Sequence, residues 1–308
     1  MRWSLRGVGW TLVAGLAVIA AAGWIVSAPR PAFEAADAAR FEGGDMARGK
    51  RIFDAGQCAS CHASPGQPDR LRLGGGLALG SPFGNFYPPN ISPDPQDGIG
   101  RWQGIDLANA LMSGVSPEGQ HYYPALPYVS YARMRAEDVR DLMAYLRSLP
   151  PVSGRTPPHA LPFPLTIRRG VGLWKLLFLD STPIVDVPSR DPQWNRGRYL
   201  AEALAHCAEC HSPRNLFYAV KSSARFAGGP DQEGTGYIPN ITPHAIGAWS
   251  EDQLVEILTS GRTPDLRVVR SSMDDVVHNM AALPEEDRRA IAVFIRALPP
   301  RPTQGPEN

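Results

Sequence analysis

The chain is short of cysteine and spends what it has narrowly. All four, Cys58, Cys61, Cys207 and Cys210, fall in two short motifs, so none is left over for a disulfide scaffold. Excess charge of either sign is also missing. The 31 basic and 30 acidic residues leave a net charge of +1, which gives no footing for nucleic acid or for electrostatic adhesion to lipid. Hydrophobic residues make up 43%, ordinary for a globular protein and unlike a polytopic membrane protein. Gly and Pro, at 30 and 31, stay below the level of a disordered chain and suit loop-rich domains. A length of 308 residues allows two or three of them.

One apolar run is present. Arg2 and Arg6 precede an uncharged stretch from Gly7 to Ala28, about the length that crosses the hydrocarbon core as a helix. Trp10 and Trp24 sit near its two ends, where amphipathic rings favour the membrane interfaces. The expectation for segment 1–30 is an N-terminal transmembrane helix with its basic end in the cytoplasm. A signal peptide cleaved near Ala22 or Ala28 is the alternative. Either places the remainder at the bacterial cytoplasmic membrane, facing the periplasm.

The two cysteine motifs read Cys58-Ala59-Ser60-Cys61-His62 and Cys207-Ala208-Glu209-Cys210-His211. Cys-x-x-Cys-His is the attachment signature of haem c: two thiols form thioethers with the vinyl groups, and the adjacent histidine reaches the iron. Zinc or a disulfide would account for the cysteines and leave both histidines idle. A thioredoxin-like motif needs neither the histidine nor the duplicate.

The surroundings of the motif are duplicated too. Arg48-Gly49-Lys50 and Arg196-Gly197-Arg198 lead into the two copies. Pro89-Asn90-Ile91-Ser92-Pro93 and Pro239-Asn240-Ile241-Thr242-Pro243 follow after Gly-rich loops, and Trp102 and Trp249 come next. A period of about 150 residues is a domain duplication rather than a solenoid. The expected organisation is a first domain at 39–151, a linker at 152–192, a second domain at 193–300 and a disordered tail at 301–308. In 136–149, Val139, Leu142, Met143, Leu146 and Leu149 trace one buried helix face, opened by acidic residues and closed by Pro150. Ile291, Phe294, Ile295 and Leu298 repeat it. The apolar centre of the linker, 171–179, reads as a helix covering surface between the domains, with a lid or docking surface as the alternative.

Short helical units with an early haem motif and a late amphipathic helix resemble class I c-type cytochromes. The stretches Tyr87 to Asp94, Tyr123-Pro124-Ala125-Leu126-Pro127-Tyr128 and His206 to Asn215 are similar to cytochrome c subunits of bacterial membrane-bound alcohol and gluconate dehydrogenases. The resemblance implies an all-α fold of two tandem class I cytochrome c domains, each wrapped around a covalent haem. It also implies electron transfer between redox partner proteins, such as a dehydrogenase subunit and a terminal oxidase or quinone. Those subunits commonly carry three haems, whereas this chain has two motifs.

Cofactor binding is expected at Cys58, Cys61, His62, Cys207, Cys210 and His211, with His62 and His211 as iron ligands. Class I cytochromes place a methionine opposite the histidine, before the last helix. Met273 holds that place for the second haem, with Met280 as its rival. The related subunits often have Met where this chain has Leu126, so the first haem is expected to use Met134. Met112, a histidine such as His121, or an open iron are the alternatives. Trp102, Trp249, Asn90, Asn240 and Arg101 read either as donors to haem propionates or as turn and packing residues. Asp94 and Asp97 read as turn residues. The expected function is a dihaem electron relay. A dihaem redox enzyme with an open first haem, or a gas sensor, is the alternative.

Overall fold

The structure is a computed structural model that describes residues 5–305 apart from Glu233 and Thr235, with side chains from Trp10 onward. Arg2 and residues 306–308 lie outside the described residues, as does the side chain of Arg6.

Helix α1, Leu5–Val26, carries Trp10, Leu16, Ile19 and Ile25 exposed on its flanks. The expected transmembrane helix is nevertheless not found: among the described residues no helix is long and apolar enough to cross a membrane. The chain then turns at the buried Ser27 onto the first helical unit, where the Ser27 carbonyl meets the His121 imidazole at 2.8 Å.

The first unit contains α2 (Met46–Ala55), α3 (Cys58–His62), α4 (Gly104–Ser113), α5 (Tyr128–Tyr131) and α6 (Ala136–Ser148). Asp45 starts α2 by accepting the Ala47 and Arg48 amides. The acidic first turn of α6 and the proline after it end the helix where the sequence pattern placed its ends. Helix α2 packs across α6 with Phe53 edge-on to Tyr145 at 5.2 Å. After α7 (Arg169–Phe178), the second unit repeats the plan with α8 (Pro192–Tyr199), α9 (Cys207–Cys210), α10 (Pro243–Ile246), α11 (Glu251–Ser260), α12 (Ser272–Ala281) and α13 (Glu285–Arg296). Helix α8 crosses α13 as α2 crosses α6. The described strands are β1 (Gly229–Pro230) and β2 (Tyr237–Ile238), antiparallel, with Gly229 opposite Ile238. The described residues are thus mostly helical, with one two-residue ladder and several isolated bridges, and without the transmembrane helix that was part of the expected fold.

The two units differ by one residue before the cysteine motif. Gly49 stands nine residues before Cys58, whereas Gly197 stands ten before Cys207. The second unit absorbs the extra residue in a π-helical turn, Leu200–Leu204, so the motif still arrives in the same place. The tail is a correction. Residues 301–305 are not disordered but strap the second unit: the Arg301 carbonyl accepts Asn240 Nδ2 at 2.8 Å and the Gln304 amide donates to Ala227.

Both helix crossings depend on a glycine. A methyl at Gly49 would run into the Asp141 carbonyl, and one at Gly197 into the Ala290 carbonyl. Gly197→Ala should lower stability by about 1–3 kcal/mol through overpacking, read from thermal or denaturant unfolding. Gly170→Ala in α7, where a methyl meets open space, should leave the midpoint nearly unchanged.

Candidate functional site

Each cysteine motif forms a single helical turn entered from a left-handed residue, Gln57 at φ 56° in the first unit and His206 at φ 41° in the second. That reversal lifts the turn off the preceding helix and presents the first cysteine inward. The alanine after it is packed away in each copy, Ala59 and Ala208 being buried. No disulfide joins the cysteines. Burial pushes the Cys58 and Cys207 thiols up to about 12, with Cys61 and Cys210 adding to the effect. A thioredoxin-like motif requires the opposite shift.

The histidines carry the most informative geometry. His62 Nδ1 lies 2.8 Å from the Pro89 carbonyl, and His211 Nδ1 lies 2.8 Å from the Pro239 carbonyl. A carbonyl only accepts, so Nδ1 carries the proton and Nε2 holds the lone pair, directed away from the loop. That is how a protein orients an imidazole for a metal. Burial holds both rings below their ordinary pKa, against the carbonyl bond, and so favours the neutral, ligating form.

The loops exist to place those two carbonyls. Asn90 is buried, accepts the Ser92 amide at 2.9 Å and donates to the Val152 carbonyl at 2.6 Å, which pins the loop to the end of its unit. Asn240 does the same with Thr242 at 2.7 Å and Arg301 at 2.8 Å. Gly75 and Gly228, at φ +68° and +75°, return their amides to the carbonyls of His62 and His211. Of the two readings of these asparagines, the turn role is the one the structure supports. Trp102 and Trp249 pack against the core, and their carbonyls take Arg147 and Arg296. Arg101 is exposed. Asp94 caps its own turn through the Gln96 and Asp97 amides, and Asp97 holds Arg155. Among the described residues no three or more Cys, His, Asp or Glu side chains converge as a metal-ion site, which leaves the zinc reading without a ligand set.

The candidate sixth ligands are placed unequally. Met273 opens α12 half-buried, while Met280 is fully buried in the core. Met134 is buried in the core of the first unit at 5% exposure, and Leu126 is partly buried against the core. Met112 leans on the core and Met143 lies within it. His121, offered above as an alternative ligand, is buried, with Nε2 at the Ser27 carbonyl and Nδ1 at Lys175 Nζ, 3.1 Å away. Both ring nitrogens are thus engaged.

Lys175 was not legible as a site residue. It hangs from α7 into the first unit, donates to the Ser113 and Gly114 carbonyls at 2.7 Å each, and lies 4.6 Å over the Tyr128 ring. The one signal for it was a lone lysine inside the apolar stretch of the linker. It fastens α7 over the loop carrying Leu126, as a cover between units would require.

A duplicated Cys-x-x-Cys-His turn with a carbonyl-oriented imidazole, built into a pair of crossed helices, defines a protein that holds haem covalently. The chain belongs to the cytochrome c family. Residues 46–150 match the family described as Cytochrome c. The chain is 48% identical over 297 residues to a "Diheme cytochrome c-type" of Cereibacter sphaeroides, covering 94% of this chain and 98% of the relative. It is 37% identical to the "Fructose dehydrogenase cytochrome subunit" of Gluconobacter japonicus, with 84% of this chain matched to 54% of that protein. It is 33% identical to the "Gluconate 2-dehydrogenase cytochrome c subunit" of Pantoea cypripedii, with 82% matched to 59%. The chain therefore spans little more than half the length of these two dehydrogenase subunits. Membership of the family implies covalently bound haem c, and the cysteines and oriented histidines fit that group.

Burial pushes the Lys175 ammonium down to about 7 from 10.5. Between those values the unfolded chain binds a proton that the folded chain does not, so this residue makes stability rise with pH across that window. The stability difference between wild type and Lys175→Met should accordingly grow from pH 7 to pH 10 in denaturant titrations. A pH-independent difference would contradict the buried placement.

Proposed function

We propose that this chain holds two haems c and relays electrons in the bacterial periplasm, between a dehydrogenase and the respiratory chain. Cys58, Cys61 and His62 would hold one haem, and Cys207, Cys210 and His211 the other. The observation that carries the reading is the second, equal copy of the imidazole–carbonyl bond, Pro239 to His211 repeating Pro89 to His62. When bound, haem supplies a one-electron couple. The chain supplies covalent attachment, a fixed imidazole and exclusion of water. The dehydrogenase partner is supported by relatives named as cytochrome subunits of fructose and gluconate dehydrogenases. Quinone or a terminal oxidase is the proposed acceptor.

Met273 is proposed as the second axial ligand of the second haem, being at the mouth of α12 and still partly accessible. Met134 is proposed for the first, where it already lies in the apolar interior that the macrocycle would share. A thioether favours ferrous iron and raises the potential, which suits a relay. A second reading, a dihaem peroxidase or sulfur-compound oxidase with an open first iron, is favoured by Leu126 in the ligand loop.

Near-infrared spectroscopy of the ferric protein separates the two. The relay reading expects a thioether-to-iron band from both sites, halved by Met134→Ala and likewise by Met273→Ala, with one potential lowered in each variant. Carbon monoxide binding at one ferrous haem of the wild type, with no change of the band in Met134→Ala, would favour the enzyme reading.

A further inference from the structure

The two cysteine turns meet at a seam between the units, and the side chains that cross it at and beside the turns come in matching pairs, whereas Arg70 to Asp275 and Arg133 to Glu202 cross without a counterpart. Gln57, just before Cys58, donates from Nε2 to the Ala205 carbonyl at 3.1 Å. His206, just before Cys207, sets its ring edge-on to Tyr131 at 5.8 Å, whose hydroxyl donates to the Gly56 carbonyl at 2.7 Å. Gly56 and Ala205 are themselves equivalent, each preceding the left-handed residue. Inside the motifs, Ser60 Oγ accepts Asn279 Nδ2 at 2.7 Å, and Glu209 accepts Ser130 Oγ at 3.3 Å. Ser60 and Glu209 occupy the same place in Cys-x-x-Cys. Ser130 and Asn279 each stand eight residues before the acidic residue in the first turn of their last helix, Asp138 or Asp287.

One pair of outer contacts obeys the same rule. Arg51 lies two residues after Gly49 and Tyr199 two after Gly197. Arg51 reaches Asp287 of the second unit, while the Tyr199 hydroxyl donates to Asp138 of the first. Such reciprocity, residue i on j′ and j on i′, is the mark of an isologous interface, here closed within one chain. The seam is also built for close approach, because Ala55, Ala59, Ala205 and Ala208 are buried there and add little bulk.

We propose that this reciprocal contact set locks the two haem-attachment turns in register for electron exchange between the units, with Gln57 and His206 as its central positioning residues. The proposal rests on the two-haem reading above. An interface serving stability alone has no need to run its bonds through the residues that precede and lie inside the attachment motifs. Here those residues carry the central contacts, and the ionic contacts lie outside them. Displacing one turn relative to the other would change the separation of the haem edges, on which exchange depends steeply.

The test uses the full-length holoprotein. Metal analysis first counts haem iron per chain in wild type and in the double variant Gln57→Ala/His206→Ala. Electron exchange between the haems is then timed after flash photoreduction, and ferric electron paramagnetic resonance reports their magnetic coupling. The double variant should keep two irons per chain and both potentials, while exchange slows by about tenfold or more and the coupling weakens. Restoring the amide donor in Gln57→Ala/His206→Gln should recover part of the rate, since glutamine already occupies the same left-handed conformation at position 57. Ser130→Ala/Asn279→Ala, which spares the left-handed residues, should slow exchange in the same direction and covers the case in which the first variant fails to fold. Unchanged exchange in a double variant that holds two irons would overturn the lock alone. One iron per wild-type chain would overturn the two-haem reading and the lock with it.

Discussion

Two proline carbonyls hold two imidazoles by Nδ1, and the rest of each unit is arranged to keep them there. The bond settles which nitrogen carries the proton and where the lone pair points, which is the requirement for a histidine that binds iron. It needs a loop whose carbonyl is fixed to a fraction of an ångström. Asn90 and Asn240 provide that by closing the next turn and tying it to the end of the unit, at Val152 and Arg301. The helix crossing at Gly49 and Gly197 brings that end back beside the cysteine turn. Remove the glycine contact or the asparagine tie and the carbonyl loses its position before any residue of the motif is altered.

Duplication has not meant identity. The same interfacial position carries an arginine in one unit and a tyrosine in the other, and its acidic partner responds accordingly. Burial raises the pKa of Asp138, and the Tyr199 hydrogen bond offsets this only in part. Burial acts on Asp287 in the same sense, but hydrogen bonds and charge from Arg51 and Arg196 outweigh it and hold the carboxyl below its usual range. The coverings differ as well. Helix α7 and its buried Lys175 close over the first unit, whereas the second is strapped by residues 301–305. Two sites with one plan and different surroundings are what a relay needs if its two potentials are to differ.

Much of this was legible in the chain itself. The periodicity of Val139, Leu142, Met143 and Leu146 gave α6 to within a residue, because burial of one face and a closing proline are both local signals. The repeat of Pro-Asn-Ile located the loops, though not their role. That role depends on a carbonyl, and a carbonyl has no letter in a sequence. His121 and Lys175 escaped for a related reason: their burial comes from a linker helix and from Ser27, distant in sequence and close in space. The apolar N-terminal run suggested a membrane span, yet among the described residues no helix is long and apolar enough to cross a membrane. The tail misled because Arg301 and Gln304 bond through backbone, which polarity and proline content do not reveal.

The claim on which everything else stands is that both cysteine turns carry covalent haem. Intact-mass spectrometry of the denatured, full-length protein tests it most directly, with Cys58→Ala and Cys207→Ala beside the wild type. The wild type should retain the mass of two haems through denaturation, and each variant should lose stable attachment at its own site while keeping the other. A wild-type chain with one haem or none after denaturation, or a variant that keeps both, would contradict it.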